Sequence, residues 1–417
     1  MKDGETGREF GRGHERRDDW KREREPERER NHERRHGRGG WQRVSTHDGE
    51  LNRGRAAESA RRATGWLARP GLSDIAYAAV AVLLALFIGA ILIAASGYSV
   101  IDAYTNLFYG AFGSVYNLAN TLMMATPLLF TGLSVAVAFQ CGLFNVGAEG
   151  QLYVGGLASA VVVLALGPGV PGAVRVLLAL VAGALAGAAL AAGPGYMKAR
   201  LGAHEVITTI MLNYVGTFLT TFLVKTYLKE PGPVDQTPLL PAGARLPELI
   251  PGTRVSWGIV LGVAAVMAVD YVLRRTSVGY EIQAVGRNAA AAEYGGVSVP
   301  GRIVLAMVMS GAVAGLAGSS IVMGTLYRFI TNFSPGYGFT GIAVAVLARN
   351  KPWGVLPAAL LFGMLQSGGM SMQLFARIPA DLMTLVQGIV ILFVAAPALA
   401  SMFLSRGRAG AGTGGRG

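Results

Sequence analysis

The sequence predicts an all-α polytopic membrane protein of about ten transmembrane helices, and three observations lead there. Hydrophobic residues make up 52% of the 417 and charged residues only 15%, well below the roughly one quarter that a soluble fold carries. The charges are also segregated: residues 1–70 hold 33 of the 62, which leaves 29 for the other 347. Beyond residue 70 the chain is a succession of apolar runs close to the roughly 20 residues that cross a hydrocarbon core. These runs are continuously apolar and do not alternate as barrel strands do, which excludes a β-barrel.

Residues 1–70 show no apolar periodicity that could bury a core and read as a disordered, charged cytoplasmic tail. Fourteen acids offset most of its 19 basic residues and leave +5. That balance fits loose attraction to anionic lipid headgroups, so no nucleic-acid partner is expected. His32, Glu33 and His36 spell H-E-x-x-H, a zinc spacing when carried on a packed helix. Here neither a packed helix nor a third ligand accompanies it, and no metal site is expected. Arg61 and Arg62 read as a cytoplasmic anchor, not a twin-arginine export signal. No apolar run of signal-peptide length occurs in this region. The single cysteine, Cys141, excludes an internal disulfide.

In order, the candidate spans are 76–96, 118–139, 150–166, 174–192, 205–228, 255–273, 302–324, a short one at 339–348, 354–371 and 382–404. The transmembrane domain is therefore 71–404, followed by a Gly/Arg-rich disordered tail at 405–417. Positively charged loops stay in the cytoplasm. With the tail inside, the inner loops hold eleven Lys and Arg against seven outside, and five arginines just before the first span make it 16 to 7. Both termini are expected in the cytoplasm, and the loop from Lys229 to Arg254 outside. Gly183-x-x-x-Gly187 and Gly311-x-x-x-Gly315 point to closely packed helices.

Two polar, glycine-rich stretches interrupt the apolar pattern, Gln140 to Gln151 and Asn332 to Gly341. If spans two to five and seven to ten are two inverted pseudo-repeats, these stretches correspond, and paired interrupted segments point to a transport site. The alternative is a pair of ordinary surface turns. Glu149 opens the third span, where a carboxylate suits a helix N-terminus or lines a path. Thr208, Thr209, Asn213 and Tyr214 break the apolar character of the fifth span and face another helix or a solute. No row of intramembrane Asp, Glu or His appears, which leaves a proton relay little to work with. Of five histidines only His204 lies in the body, which counts against a metal-dependent membrane enzyme.

The loop from 274 to 301 carries its own structural signal. Asn288 can cap a helix from Ala289 to Tyr294, and Gly295-Gly296 can end it in a left-handed conformation. A short alanine-faced helix clear of the membrane suits a groove on another protein, with an interfacial helix as the alternative. The chain contains no G-x-x-x-x-G-K-[ST] loop. It therefore lacks that ATP-phosphate cradle, and no cofactor is expected.

Four segments carry a resemblance: GLFNVGAEGQ at 142–151, GAHEVITTIMLNY at 202–214, AVGRNAAAAEYGGVSV at 284–299 and GFTGIAVAVLARNKPWG at 338–354. The chain from about 76 to 404 resembles permease subunits of ABC importers of the ribose and branched-chain amino-acid permease family, in its nucleoside and simple-sugar branch. The resemblance implies a type II ABC importer permease-like fold of ten helices, paired around a central path with a related second permease. It further implies a cytoplasmic ABC ATPase, an extracytoplasmic solute-binding protein and no enzymatic activity in this chain. Gln140, His204 and Ala289 stand where the family more often has a basic residue, asparagine and proline.

On that resemblance the loop is the coupling element, with Gly279, Glu281, Gly286, Asn288, Ala291, Ala292, Glu293, Tyr294 and Gly295 as the residues that meet the ATPase. The substrate-pathway candidates are Phe144, Asn145, Glu149, Gln151, Thr208, Thr209, Asn213 and Tyr337. For a nucleoside, aromatic stacking on the base and amide or carboxylate bonds to base edges and ribose are expected. The alternatives are a permease for another small polar solute, such as a branched-chain amino acid, and an ATPase-independent secondary transporter.

Overall fold

The computed structural model describes residues 72–167 and 169–395. The expectations for the tails at 1–70 and 405–417, the H-E-x-x-H sequence and the Arg61-Arg62 pair lie outside them. Backbone contacts divide the chain into Met1–Ile75 and Ala76–Gly417, and the packing below is that of the second unit. Among the described residues the structure is helical, apart from two isolated antiparallel bridges, Gln236 with Ile330 and Glu248 with Ser256.

The order is α1 (Leu72–Ala95), α2 (Val100–Phe112), α3 (Val115–Gln140), α4 (Ala148–Ala165), α5 (Gly172–Leu201) and α6 (Glu205–Leu223), the last continued by a π-helical turn to Leu228. After a long loop come α7 (Gly258–Arg275), α8 (Ser277–Arg287), α9 (Ala289–Tyr294) and α10 (Val299–Ile321), with its own π-turn to Leu326. The chain then runs through α11 (Tyr337–Leu347), α12 (Pro352–Phe375) and α13 (Ala380–Ala395). Six of these, α3, α4, α5, α6, α10 and α12, are long and apolar enough to cross a membrane.

The sequence reading has no counterpart for α2 or α8. At 13 residues, α2 is about 20 Å long and falls short of a span. The Ser99 hydroxyl caps it, accepting from the Asp102 N–H at 3.3 Å. Its small inner residues Ala103, Gly110 and Ala111 let it lie on α12, where the Ser367 hydroxyl donates to the Gly110 carbonyl at 3.1 Å.

The core is built on α3 and α10. α10 packs on α3, α4 and α5, while α3 packs on α10, α11 and α12. The two Gly-x-x-x-Gly sequences meet each other: a Cβ on Gly187 would stand 2.3 Å from the Gly311 carbonyl oxygen, and one on Gly315 2.1 Å from that of Gly183. The backbones of α5 and α10 are therefore in contact, which gives dispersion and packing where lipid offers no hydrophobic drive. Buried hydroxyls stitch the same region, Ser159 to Ser319 at 2.6 Å and Ser134 to Ser310 at 3.0 Å.

The loop after α6 folds back over the end of α10. Thr237 and Leu240 N–H groups donate to the carbonyls of Phe329 (2.9 Å) and Tyr327 (2.8 Å), and Leu246 N–H to Met323 (3.0 Å). Ion pairs pin its edge, Arg328 to Glu230 at 2.9 Å and Lys229 to Asp235 at 2.7 Å.

Candidate functional site

Both interrupted stretches are breaks between helices, and the structure brings them together. The first begins where α3 ends at Gln140. Gly142 takes a left-handed conformation, φ 72°, and the chain crosses to α4, whose N-cap is Gly147. Asn145 holds this crossing. Its Oδ1 accepts from the Gly147 N–H (3.0 Å) and from Gln151 Nε2 (3.1 Å), while its Nδ2 donates to Gln151 Oε1 (2.9 Å) and Ser310 Oγ (2.8 Å). Asn213 on α6 completes the support: its Nδ2 donates to the Val146 carbonyl at 2.7 Å, and its Oδ1 accepts from the Gly150 N–H at 2.8 Å. All three amide side chains are buried.

The second break follows the π-turn of α10. Tyr327, Asn332 and Gly336 all have positive φ, which folds the chain sharply before α11. Ser334 Oγ accepts from the N–H groups of Gly336 (3.2 Å) and Tyr337 (3.1 Å), filling a capping role at the start of α11. Tyr153 of α4 reaches across, its hydroxyl accepting from the Ser334 N–H at 3.1 Å. Its ring packs edge-on against Phe333 at 4.9 Å. Thr131 of α3 donates to the Tyr337 carbonyl at 3.0 Å.

The breaks meet at Glu149. This side chain is 6% exposed and sits in the first turn of α4, and its Oε2 accepts from the Gly338 N–H, in the first turn of α11, at 2.5 Å. One carboxylate thus serves the positive ends of two helices. The approach needs glycine, because a Cβ on Gly338 would lie 2.3 Å from the Glu149 backbone nitrogen.

Of the other pathway candidates, Phe144 is half-buried with its ring edge-on to Phe139 at 4.9 Å. Thr208 and Thr209 donate back to the Glu205 carbonyl at 3.1 and 2.7 Å, within their own helix. The Tyr337 hydroxyl points to Met124 Sδ at 3.6 Å. Sequence reasoning passed over Gly338, Ser334, Tyr153, Thr131 and Ser310. Gly338 and Ser334 lay inside the second interrupted stretch, which was the available signal; nothing local marks the others.

On the opposite side from the α10 π-turn, α8 and α9 form a capped pair. The Thr276 hydroxyl accepts from the Gly279 N–H at 3.2 Å, and Asn288 Oδ1 from the Ala291 N–H at 3.0 Å. Gly296, not Gly295, supplies the left-handed residue after α9, with φ 83°. Glu281 pairs with Arg302 at 2.5 Å, and Ala292 is buried. Ala291, Glu293, Tyr294 and Gly295 are exposed, Tyr294 to 96%. Gly286 lies against the end of α3, where an added Cβ would be 2.2 Å from the Gln140 carbonyl oxygen.

Residues 117–395 match the family model described as branched-chain amino acid transport system / permease component. The chain belongs to this family. It is similar to the guanosine ABC transporter permease protein NupP of Bacillus subtilis, 37% identical over 78% of this chain and 94% of the relative. It is also similar to the nucleoside ABC transporter permease protein NupB of Lactococcus lactis, 35% identical over 79% and 93%. A glucose ABC transporter permease protein of Haloferax volcanii is 34% identical over 79% and 88%. No solved structure matches. The chain is thus a multi-pass membrane permease subunit of an ABC transporter and not itself an enzyme, and the family implies a separate ATPase and a solute-binding protein.

Proposed function

We propose that this permease imports nucleosides by alternating access, driven by a cytoplasmic ATPase that grips the 274–301 loop and supplied by an extracytoplasmic binding protein. The observation that carries the choice of solute is the similarity, across more than nine-tenths of each relative, to a guanosine and a nucleoside permease. The geometry supports a neutral solute as well. In transporters built on broken helices the positive half-helix ends commonly face an anionic solute group, but here Glu149 already occupies both ends. An amino-acid carboxylate would find that position taken.

The remaining architecture is proposed on the same footing. Ten spans in two inverted pseudo-repeats are supported by the packing of α3 on α11 and α12, which mirrors that of α10 on α4 and α5. The domains are a tail at 1–70, a transmembrane body at 71–404 and a tail at 405–417. Both termini face the cytoplasm, by the distribution of Lys and Arg. A related second permease completes the path; relatives named NupB and NupC occur in one organism and NupP and NupQ in another. Phe144, Asn145, Glu149, Gln151, Thr208, Thr209, Asn213 and Tyr337 shape the path, with Asn145, Gln151, Asn213 and Glu149 fixing the broken segments. Gly279, Glu281, Gly286, Asn288, Ala291, Ala292, Glu293, Tyr294 and Gly295 couple it to the ATPase.

The test is uptake by proteoliposomes holding the permease pair, its ATPase and its binding protein. Guanosine should accumulate with ATP and stop with vanadate. Uptake of glucose or leucine with none of guanosine would overturn the nucleoside reading, and uptake that survives vanadate but follows an ion gradient would overturn the ATP-driven one.

A further inference from the structure

The exposed faces of the spanning helices are not alike. On α5 the exposed side chains Leu177, Leu178, Val181 and Leu185 are aliphatic, as a lipid-facing surface should be. α6 turns Thr209, Asn213, Gly216 and Thr220 inward and leaves Ile207, Met211, Tyr214, Phe218 and Phe222 exposed on the other side.

Tyr214 is the exception in this set. It is 59% exposed, nine residues after Glu205 and fourteen before Leu228, or ~14 Å and ~21 Å from the two ends of the helix. The seven other exposed tyrosines among the described residues all lie within five residues of a helix end, where amphipathic rings serve as interfacial anchors. The Tyr214 hydroxyl bonds to none of the described residues. A hydroxyl left unpaired at mid-depth is costly in hydrocarbon, so this face of α6 meets water, a polar solute or the second permease in place of lipid tails. Beside it, the Phe218 ring is nearly parallel, with planes 23° apart and centroids 6.4 Å apart. Two near-parallel rings with one hydroxyl make a surface for a planar, neutral heterocycle, because every nucleobase has a π-face that stacks on an aromatic side chain.

We propose that Tyr214 and Phe218 line the solute path and form the platform on which the base of a nucleoside stacks during passage. This rests on the nucleoside reading above and adds to it the residues that distinguish a base from a sugar. The ribose is left to slide past without stacking.

The experiment exploits the burial of the one native cysteine, Cys141, which lets a second, introduced cysteine be labelled against an unreactive background. In the assembled importer, Tyr214→Cys should react with a charged methanethiosulfonate reagent, which travels only through water. Guanosine should slow the reaction at least about fivefold and ribose should not, while Leu185→Cys on α5 stays unlabelled. Tyr214→Leu and Phe218→Leu should each raise the KM for guanosine about tenfold, the scale of one base–aromatic stack, with kcat and co-purification with the ATPase retained, and Tyr214→Phe should recover most of the loss. An unreactive Tyr214→Cys, reactivity indifferent to guanosine, or unchanged guanosine KM in both leucine variants overturns the platform. Failure of the wild-type importer to move guanosine at all is a separate result, and it overturns the nucleoside reading itself.

Discussion

Glu149 closes a gap that both broken segments would otherwise leave open. The first turn of any helix has N–H groups without intrahelical partners, and in α11 the Gly338 N–H finds its acceptor in a carboxylate from a different break, at 2.5 Å. Glu149→Ala should therefore destabilise the permease by about 1–3 kcal/mol, the range for stranding a buried donor, whereas Glu149→Gln keeps an acceptor oxygen and should lose less. Thermal melts of the detergent-purified protein would show the order, and equal losses would assign Glu149 a role other than accepting that bond. In the loop after α6, hydrogen bonds from Lys229 and Lys225 hold the Asp235 carboxyl below its ordinary range. A depressed folded value means these contacts contribute above the ordinary carboxylate pKa and are lost as pH falls through the lower one. The loop from Lys229 to Trp257 should thus keep its protease resistance at about pH 5, above the ordinary value near 3.9, and lose it only in stronger acid. Cleavage already rising near pH 5 would break the assignment.

At the scale of elements, the long helices were legible because apolar runs of membrane length have few alternatives. The spans read at 118–139, 150–166, 174–192, 205–228, 302–324 and 354–371 fall on the six helices that are long and apolar enough to cross a membrane, and the short 339–348 falls on α11. The Asn288 cap of α9 was legible too, because the cap chemistry is local. α2 was not: its signal is a 13-residue amphipathic pattern that offers no continuous apolar run. α8 was hidden for the same reason. Nor could the sequence say where the amides of Asn145, Gln151 and Asn213 would go. A buried amide in a span can bond a solute or a neighbour equally well, and only the fold reveals that these bond one another and the backbone. The contact of α8 with α3 was likewise invisible, though it gives the loop a mechanical route to the first break: Gly286 touches Gln140 and Cys141, the residues that lead into it. Gly286→Ala should force these backbones apart and leave ATPase binding intact while ATP hydrolysis no longer drives uptake at the wild-type ratio. Replacing Asn288 to Tyr294 with a flexible linker should instead abolish ATPase association. Normal uptake per ATP in the first variant, or persistent association in the second, would remove the coupling assignment.

Taken as a whole molecule, the body is tied together across what the sequence suggested were two halves. α10 touches the backbone of α5, α3 packs on α11 and α12, and Glu149 joins α4 to α11. Packed interfaces of this kind are bistable at best and do not deform continuously. A core closed by direct backbone contacts has no loose seam along which a solute path could open inside the chain. Opening is therefore expected between this permease and its partner, with each chain moving as one piece. The Ser159 and Ser319 hydroxyls, 2.6 Å apart across α4 and α10, offer a direct check, since side chains so close are within reach of a disulfide with its ~2 Å sulfur–sulfur bond. A Ser159→Cys/Ser319→Cys permease, oxidised in proteoliposomes with its ATPase and binding protein, should transport at close to its reduced rate. If oxidation stopped uptake and reduction restored it, α4 and α10 would have to separate in each cycle, and the path would run through the chain instead of beside it.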